Sequence, residues 1–318
     1  MYKIKSFSDV RKNNLYLSLV MQFSGFAVVL SVASLLCLAF PEKACAQSTD
    51  FTENRDTVCA FNESEVPRYT MRSTMFGVGG VNRLETYLSP LEYTGTEVRF
   101  MRESMRMTRM LHGRVSTQQF YEGNFSYARN PTKDSEYLSG DVDWRIGWHY
   151  NWTPLPRLRL MAGLQTGLSC GFVYNTSNGN NPAQGKLSTN IAASGIAVYK
   201  LDVLRRTIGL RYQFDMPFVG LMFSPNYGQS YYEIFSLGHY DHNVCFTWPG
   251  NAPCFSQLLS ADIPLGAGTL RVAYRCDVRQ SHVNSLKSHT WSNLFMIGFV
   301  KHFRLVKRRD ADAHKLIL

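Results

Sequence analysis

Charged and polar residues occupy alternate positions in three separate stretches of the chain. They are Asp141, Asp143, Arg145 and His149, then Arg211, Gln213 and Asp215, then Arg271, Arg275, Asp277 and Arg279. Acids and bases are mixed within each stretch, so these side chains could form ion pairs with one another if the stretches face each other. A row of charges could instead line a path for ions or protons. Ion pairing is the predicted chemistry, and a conducting row is the alternative.

Catalysis by a serine nucleophile is the next chemistry to consider. Lipid hydrolases of the outer membrane resemble one another in carrying a catalytic Ser two residues after a His, where the imidazole can activate the hydroxyl. None of the eight His residues has a Ser at that spacing. A nucleophile from another part of the chain stays open, but the sequence predicts no enzyme and no catalytic residue.

Metal and disulfide chemistry have weaker signals. His239, Asp241 and His242 supply only three close donors, and metal sites need three or four converging ligands, so neither a metal nor another cofactor is predicted. His282 or His289 could complete such a site only if their loops met it. Of the seven Cys residues, Cys245 and Cys254 lie close enough in sequence to close one loop by a disulfide in an oxidising compartment.

The elements that carry the charged residues have the period of β-strands. In the stretches 138–152, 157–172, 207–218 and 269–279, apolar residues alternate with charged or small ones. Strands of soluble sandwiches usually have about 5 or 6 residues. A tilted strand that crosses a membrane needs about 9 to 11 residues. The length therefore favours strands with one face towards lipid, and a soluble periplasmic β-protein is the alternative.

The connections between these stretches alternate in length. Short links are predicted at 111–113, 153–156, 202–205 and 265–268, and longer loops at 80–94, 130–136, 173–186, 220–255 and 282–288. This alternation is typical of antiparallel up-and-down barrels of the outer membrane, which must close because an open edge leaves backbone groups unpaired in hydrocarbon. About ten strands are predicted, and eight to twelve are possible. They are 69–79, 95–110, 114–129, 137–152, 157–172, 187–201, 206–219, 256–264, 269–281 and 289–305.

The two ends of the chain complete the predicted organisation. Residues 1–46 combine basic residues, an apolar run and the small-residue site Ala44-Cys45-Ala46, which predicts a cleaved secretory signal, with a retained transmembrane helix as the alternative. A periplasmic segment at 47–67, a barrel at 68–305 and a basic tail at 306–318 would follow. The leader holds five basic and two acidic residues, so the formal charge of +10 becomes +7. An exported chain with this dispersed charge suits lipid headgroups, and no nucleic acid is expected.

Aromatic residues mark two places on the predicted barrel. Trp148, Tyr150, Trp152 and Tyr199 lie beside short turns, where an interfacial girdle is expected. The loop 220–255 contains the predicted candidates for binding a ligand or partner, which are Tyr227, Tyr231, Tyr232, Tyr240 and Trp248. The alternative is that this segment prolongs two strands above the membrane and its aromatic rings pack on one another.

Five motifs in order along the chain carry a family resemblance. STMFGVGG, YLSPLEYTGTE, YGQSYYEIFSLGHYDHN, RQSHVNSLKSH and FMIGFVKHF together resemble a domain-of-unknown-function family of bacterial outer-membrane β-barrel proteins. The resemblance implies the fold and a Gram-negative outer-membrane location, without an activity. The last motif also resembles the C-terminal signal read by the barrel-assembly machinery, although Lys301 occupies an apolar position of that signal.

The sequence as a whole predicts an outer-membrane β-barrel with a structural or binding role. In a narrow ten-stranded barrel, nine charged residues are expected to pair across the lumen and fill it. These are Asp141, Asp143, Arg145, Arg211, Asp215, Arg271, Arg275, Asp277 and Arg279. The expected partners are outer-membrane lipid, the assembly machinery during insertion, and a surface ligand or protein. A narrow channel for ions or small solutes is the first alternative, and a lipid-modifying hydrolase is the second.

Overall fold

The chain forms a closed antiparallel β-barrel. The computed structural model describes residues 68–179, 181–203, 206–265 and 268–305, and eleven strands lie within these ranges. Ten of them form the barrel wall, and the short strand β8 pairs with the end of β7. The strands are β1 (Arg68–Glu85), β2 (Ser89–Met107), β3 (Val115–Arg129), β4 (Glu136–Leu155), β5 (Leu158–Asn175), β6 (Ala183–Val203), β7 (Arg206–Phe223), β8 (Val244–Thr247), β9 (Cys254–Leu265), β10 (Gly268–Val283) and β11 (Leu286–Leu305).

Closure comes from the pairing of the first strand with the last. β1 pairs with β11 over its whole length, from Arg68 opposite Leu305 to Glu85 opposite Ser288. Each other wall strand pairs with the next one, and β7 pairs with β9. A closed sheet has no free edge, so its backbone groups can be satisfied without water. The predicted ten-stranded barrel is confirmed.

The two faces of the wall differ as the alternation predicted. On β4, Val142 is 65% exposed, whereas its neighbours Asp141 and Asp143 are buried inside the barrel. On β5, Leu164 and Phe172 point outwards and are exposed. The outer face is therefore apolar, as expected for a surface that meets lipid. Separately, the part of the chain that the structure describes contains no helix long and apolar enough to span a membrane.

Two predicted loops are wrong because their polar residues belong to strands. Most of the segment 80–94 lies within β1 and β2, which are joined by only residues 86–88. Arg83 and Glu85 are polar because they face the lumen, where both are buried. The predicted loop 282–288 is a two-residue turn, in which Asn284 and Ser285 have φ of 51° and 61°. Positive φ at both central positions gives the turn twist that a tight hairpin requires.

The remaining connections separate the barrel into two ends. The outer end carries the links 130–135, 176–182 and 224–253. The turns 86–88 and 284–285 also lie at this outer end. The opposite end, called the terminal end, carries the link 108–114, the turn between β4 and β5, and the ends of β1 and β11 that lead to the chain termini. Trp148, Tyr150, Trp152 and Tyr199 are exposed on the wall near this terminal end. The predicted signal 1–46, the segment 47–67 and the tail 306–318 lie outside the described residues.

The hydrophobic core lies inside the barrel, in three clusters along its axis. The cluster near the terminal end contains Met71, Met105, Met161, Ile196 and Val300. The middle cluster contains Met75, Met101, Phe120, Leu258, Ala273, Leu294 and Met296. The cluster near the outer end contains Val81, Leu88, Tyr93, Ala128, Tyr137 and Val173, with the rings of Tyr93 and Tyr137 stacked 3.5 Å apart. These side chains occupy the lumen together with the charged residues.

Candidate functional site

All nine of the charged residues predicted to lie in the lumen face the inside of the barrel and have ion-pair partners. Arg279 on β10 binds both carboxylate oxygens of Asp143 on β4, with N to O distances of 2.7 and 3.3 Å. The other pairs are Arg83 with Asp141, Arg145 with Glu122 and Asp215, Arg211 with Glu103, Arg271 with Glu103 and Asp262, and Arg275 with Glu122 and Asp277. The lumen is thus crossed by several groups of ion pairs, and this set of charged residues is called the lumen network.

Sequence reasoning missed part of this network. The missed members are Arg83, Glu85, Glu97, Arg99, Glu103, Glu122, Lys186 and Asp262. Glu97, Arg99 and Glu103 lie on β2 at odd positions, which is a detectable period-two signal. This signal is weakened because Met101 lies among the lumen-facing residues of β2, whereas Arg102 and Arg106 lie on its outer face. The alternation of polarity is therefore weak on this strand.

Three of the ion pairs span the full width of the barrel. Arg211 pairs with Glu103, Arg279 with Asp143, and Lys186 with Glu85. In each case the two strands are five positions apart in the ring of ten, so they lie on opposite walls. Buried ion pairs often contribute little net stability, but removing one partner leaves a buried charge uncompensated, which costs about 3–5 kcal/mol. The arrangement holds opposite walls at fixed positions across the lumen.

A Ser, a His and an Asp meet in the lumen without forming a catalytic triad. The Nε2 atom of His149 lies 2.8 Å from Oγ of Ser194, and this hydroxyl donates to Asp215 at 2.5 Å. In a triad, the carboxylate instead accepts a hydrogen bond from the second nitrogen of the His ring. Nδ1 of His149 has no hydrogen-bond partner among the described residues, and all three side chains are buried. The three side chains therefore form a buried hydrogen-bonded cluster without the geometry of a triad.

The outer segment, residues 224–253, has a fixed structure of its own. A short helix, α1 (Tyr231–Phe235), begins at Ser230, whose side chain accepts from the backbone of Glu233, while the Glu233 carboxylate accepts from the backbone N–H of Ser230. Asn284 of the β10–β11 turn donates to the carbonyl oxygens of Ser224 and His242. The interpretation of this segment as two prolonged strands is wrong between β7 and β8, because a helix and turns fill that interval.

The predicted aromatic candidates in the outer segment divide into two groups. Tyr231 packs inwards, with ring contacts to Phe223 and Phe235, and its phenolic oxygen accepts from the backbone N–H of Gly185 at 2.6 Å. Burial raises the pKa of Tyr231 to about 12. The other four candidates, Tyr227, Tyr232, Tyr240 and Trp248, are between 55% and 76% exposed. One tyrosine therefore anchors the segment, and the other four candidates are presented on its surface.

The structure does not bring the metal and disulfide candidates together. Cys245 and Cys254 are free thiols, and they donate to the carbonyl oxygens of His242 and Gln280 respectively. The predicted disulfide is therefore not formed in this structure. Among the residues that the structure describes, no group of three or more His, Cys, Asp or Glu side chains could hold a metal ion.

Comparisons with solved structures give low sequence identities. The transport unit of the autotransporter AIDA-I from Escherichia coli has a TM-score of 0.40 at 8% identity, over 77% of this chain and 92% of that chain. The outer membrane protease OmpT from Escherichia coli also has 0.40 at 8% identity, over 76% and 98%. An outer membrane channel from Pseudomonas putida F1 has 0.32 at 7% identity, over 78% and 100%. No curated protein matches the chain in sequence.

A family model matches residues 29–310 of the 318-residue chain. The matched range includes all eleven strands and therefore both the lumen network and the outer segment. The chain belongs to the family described as protein of unknown function (DUF3316).

Proposed function

We propose that this protein is an outer-membrane barrel that binds a protein partner through its outer segment, with a filled lumen that serves as a rigid support. The observation that carries the proposal is the exposure of Tyr227, Tyr232, Tyr240 and Trp248 on a segment whose backbone is fixed to the barrel. Tyrosine and tryptophan are enriched among the residues that dominate binding energies at protein interfaces. A fixed backbone lowers the entropy lost when such residues are ordered on binding.

The exposed aliphatic and phenyl side chains favour a protein over a sugar as the partner. Phe235 and Leu237 are also exposed in the outer segment, between Tyr232 and Tyr240 in the sequence. They have no polar group that could bind a hydroxyl-rich ligand, but they add apolar area to a protein interface. Exposed apolar patches that are surrounded by polar residues are typical of interaction sites.

The side chains that occupy the lumen favour a structural role over the passage of solutes. Apolar clusters occupy it near both ends and in the middle, and ion pairs cross it between them. A passage would require several of these contacts to separate together. Each separation would leave buried charges without partners, at a cost of several kcal/mol.

A site-specific photo-crosslinker tests the proposal in intact cells. The crosslinker replaces Tyr232 in one variant and Tyr121 in the control, because Tyr121 is also exposed but lies on the lipid-facing wall of β3. We expect a discrete protein adduct from position 232 that excess purified wild-type protein suppresses, and no such adduct from position 121. Absence of a suppressible adduct at position 232, or the same adduct at position 121, would contradict the proposal.

A further inference from the structure

The barrel wall has a gap between β7 and β9. The two strands pair from Gly209 opposite Asp262 to Asp215 opposite Ser256, and the pairing then stops. β7 continues and pairs with β8 from Gly220 to Phe223. Within this described part of the chain, no strand pairing joins residues 216–219 of β7 to β8 or β9. This four-residue interval without strand pairing is called the window, and residues 248–253, which connect β8 to β9, span the same interval of the wall.

The chain on each side of the window has hydrogen-bonding or pairing partners on another strand. Asn251, which precedes β9, accepts a hydrogen bond from the backbone N–H of His282 on β10, so this side of the window follows β10. On the other side, Pro217 lies opposite Ala192 of β6, and Phe218 is an extra residue that bulges out of the pairing. Proline has no N–H to donate to a neighbouring strand, and bulges bend a strand away from regular pairing.

A cavity of about 210 Å³ lies inside the barrel and reaches this window. Its lining includes Pro217 on β7, Thr247 on β8, and Cys254 and Phe255 on β9, which are the two flanks of the gap. At about 30 Å³ per water molecule, the volume equals roughly seven waters. This is enough for a polar headgroup and a few methylene groups. Outside the window, Met216 and Phe218 are exposed on the outer face.

Cationic groups line the cavity towards the outer end of the barrel. The Arg279 side chain is 38% exposed and that of its partner Asp143 only 6%. Lys186 is likewise 26% exposed and its partner Glu85 only 1%. The N–H groups of these pairs are therefore more accessible to a bound molecule than their carboxylate partners.

The cavity also contains buried polar atoms without partners. Nε of Arg83 and Oε1 of Gln165 have no hydrogen-bond partner among the described residues, although both side chains line the cavity and are 2% exposed. Buried polar groups of this kind are normally satisfied by a ligand or by water. The donor and the acceptor both suit a hydrated acidic headgroup.

We propose that the window is a lateral opening through which an anionic amphiphile with a single acyl chain enters the cavity from the membrane. Its acidic headgroup binds beside Arg279 and Lys186, and its chain passes between Pro217 and Phe255 into the lipid. This inference goes beyond the proposed partner binding and rests only on the barrel spanning a membrane.

Fluorescence of cis-parinarate, an eighteen-carbon carboxylate, tests the proposal with the full chain in phosphatidylcholine nanodiscs. Empty nanodiscs supply the background from partition into lipid. Dodecanoate, dodecyl phosphate, dodecanol and dodecyltrimethylammonium are then used as competitors. We expect dodecanoate or dodecyl phosphate to displace the probe at least tenfold better than dodecanol or the cation. The stronger of the two anions identifies a free fatty acid or a phosphate headgroup as the source. Equal displacement by dodecanol would overturn the proposal.

Two adjacent alanines on β6 provide matched variants. Ala192 is buried and lines the cavity, whereas Ala193 is exposed on the outer face. Ala192→Phe should fill the cavity and weaken probe binding at least tenfold, while Ala193→Phe should leave it unchanged. Equal effects of the two substitutions would place the probe on the outer wall and overturn the proposal.

Variants of the cationic end give an independent measurement. Arg279→Gln should weaken the binding of dodecanoate without changing the binding of dodecanol. The double variant Arg279→Gln with Asp143→Asn should have the same effect, and it leaves no uncompensated charge. If Ala192→Phe loses the heat-dependent gel shift of a folded barrel, Ser256→Leu narrows the cavity from β9 instead. Unchanged dodecanoate binding in the Arg279 variants would overturn the assignment of the headgroup site.

Discussion

Glu103 on β2 accepts hydrogen bonds from the guanidinium of Arg211 on the opposite wall, with N to O distances of 2.6 and 2.9 Å. The same carboxylate accepts from Arg271 at 2.9 Å and from Gln118 at 2.7 Å. One fully buried acid therefore joins β2 to β3, β7 and β10. It is the point at which the filled lumen should be most sensitive to loss of a charge.

We expect Glu103→Leu to lower the free energy of unfolding by about 3–5 kcal/mol, because it leaves two buried guanidiniums short of a counter-charge. Arg211→Leu should cost less, since Glu103 keeps its pair with Arg271. Urea titration of the folded protein in phospholipid vesicles measures both values. Glu92→Gln on the exposed part of β2 is the control and should have little effect. A larger loss for Arg211→Leu than for Glu103→Leu would contradict this account.

An arginine substitution should cost different amounts of stability on the two faces of β5. Leu164 is exposed on the lipid-facing side, so Leu164→Arg should cost about 2–4 kcal/mol near the bilayer centre. Ser169 faces the cavity and lies opposite Asp143 of β4, so Ser169→Arg should cost less. The same urea titration compares the two variants. Equal losses would mean that the outer face of β5 does not meet lipid.

The strands that the sequence predicted best are those with the clearest difference between their faces. β4 and β10 carry charges inwards and apolar residues outwards, so period two identifies both their existence and their orientation. β1 and β2 place Met75 and Met101 in the lumen, and this reduces the contrast between their faces. Their polar ends therefore resemble a loop in the sequence, because polarity alone does not distinguish a lumen-facing residue from one in water.

The candidate site was predictable only in part, for a reason of geometry. Alternation identifies which residues face inwards, but it does not give the register between distant strands. The pairing of Arg279 with Asp143 depends on β4 and β10 being on opposite walls, which requires the strand number and the closure together. The window beside Pro217 similarly depends on where the pairing of β7 with β9 stops. Neither relationship is encoded in a local pattern.

The filled lumen predicts little ion flow through the wild-type protein. Because three apolar clusters and the crossing ion pairs occupy the interior, we expect no steady conductance in planar bilayers at high salt. Single-channel recording of the folded protein measures this directly. A heat-denatured preparation controls for leakage caused by detergent or misfolded protein. A reproducible ohmic conductance that disappears on heating would favour the narrow channel.

The anchoring role of Tyr231 can be tested by comparison with its exposed neighbour Tyr232. Tyr231→Phe removes the oxygen that accepts from the N–H of Gly185, at an expected cost of about 1 kcal/mol. Tyr232→Phe should not change stability, because Tyr232 is exposed. Hydrogen exchange at the Gly185 amide measures the difference, and exchange should accelerate only in Tyr231→Phe.

The raised pKa of Tyr231 sets the pH range in which this anchor acts. Burial raises the pKa from 10.0 in the unfolded reference to about 12, so folding favours the neutral phenol. The contribution to stability is therefore complete below pH 10 and is lost as the pH rises towards 12. The difference in unfolding free energy between wild type and Tyr231→Phe should be constant from pH 7 to 9 and should shrink above pH 10. A difference that grows above pH 10 would mean that the ionised phenolate is the form that holds the outer segment.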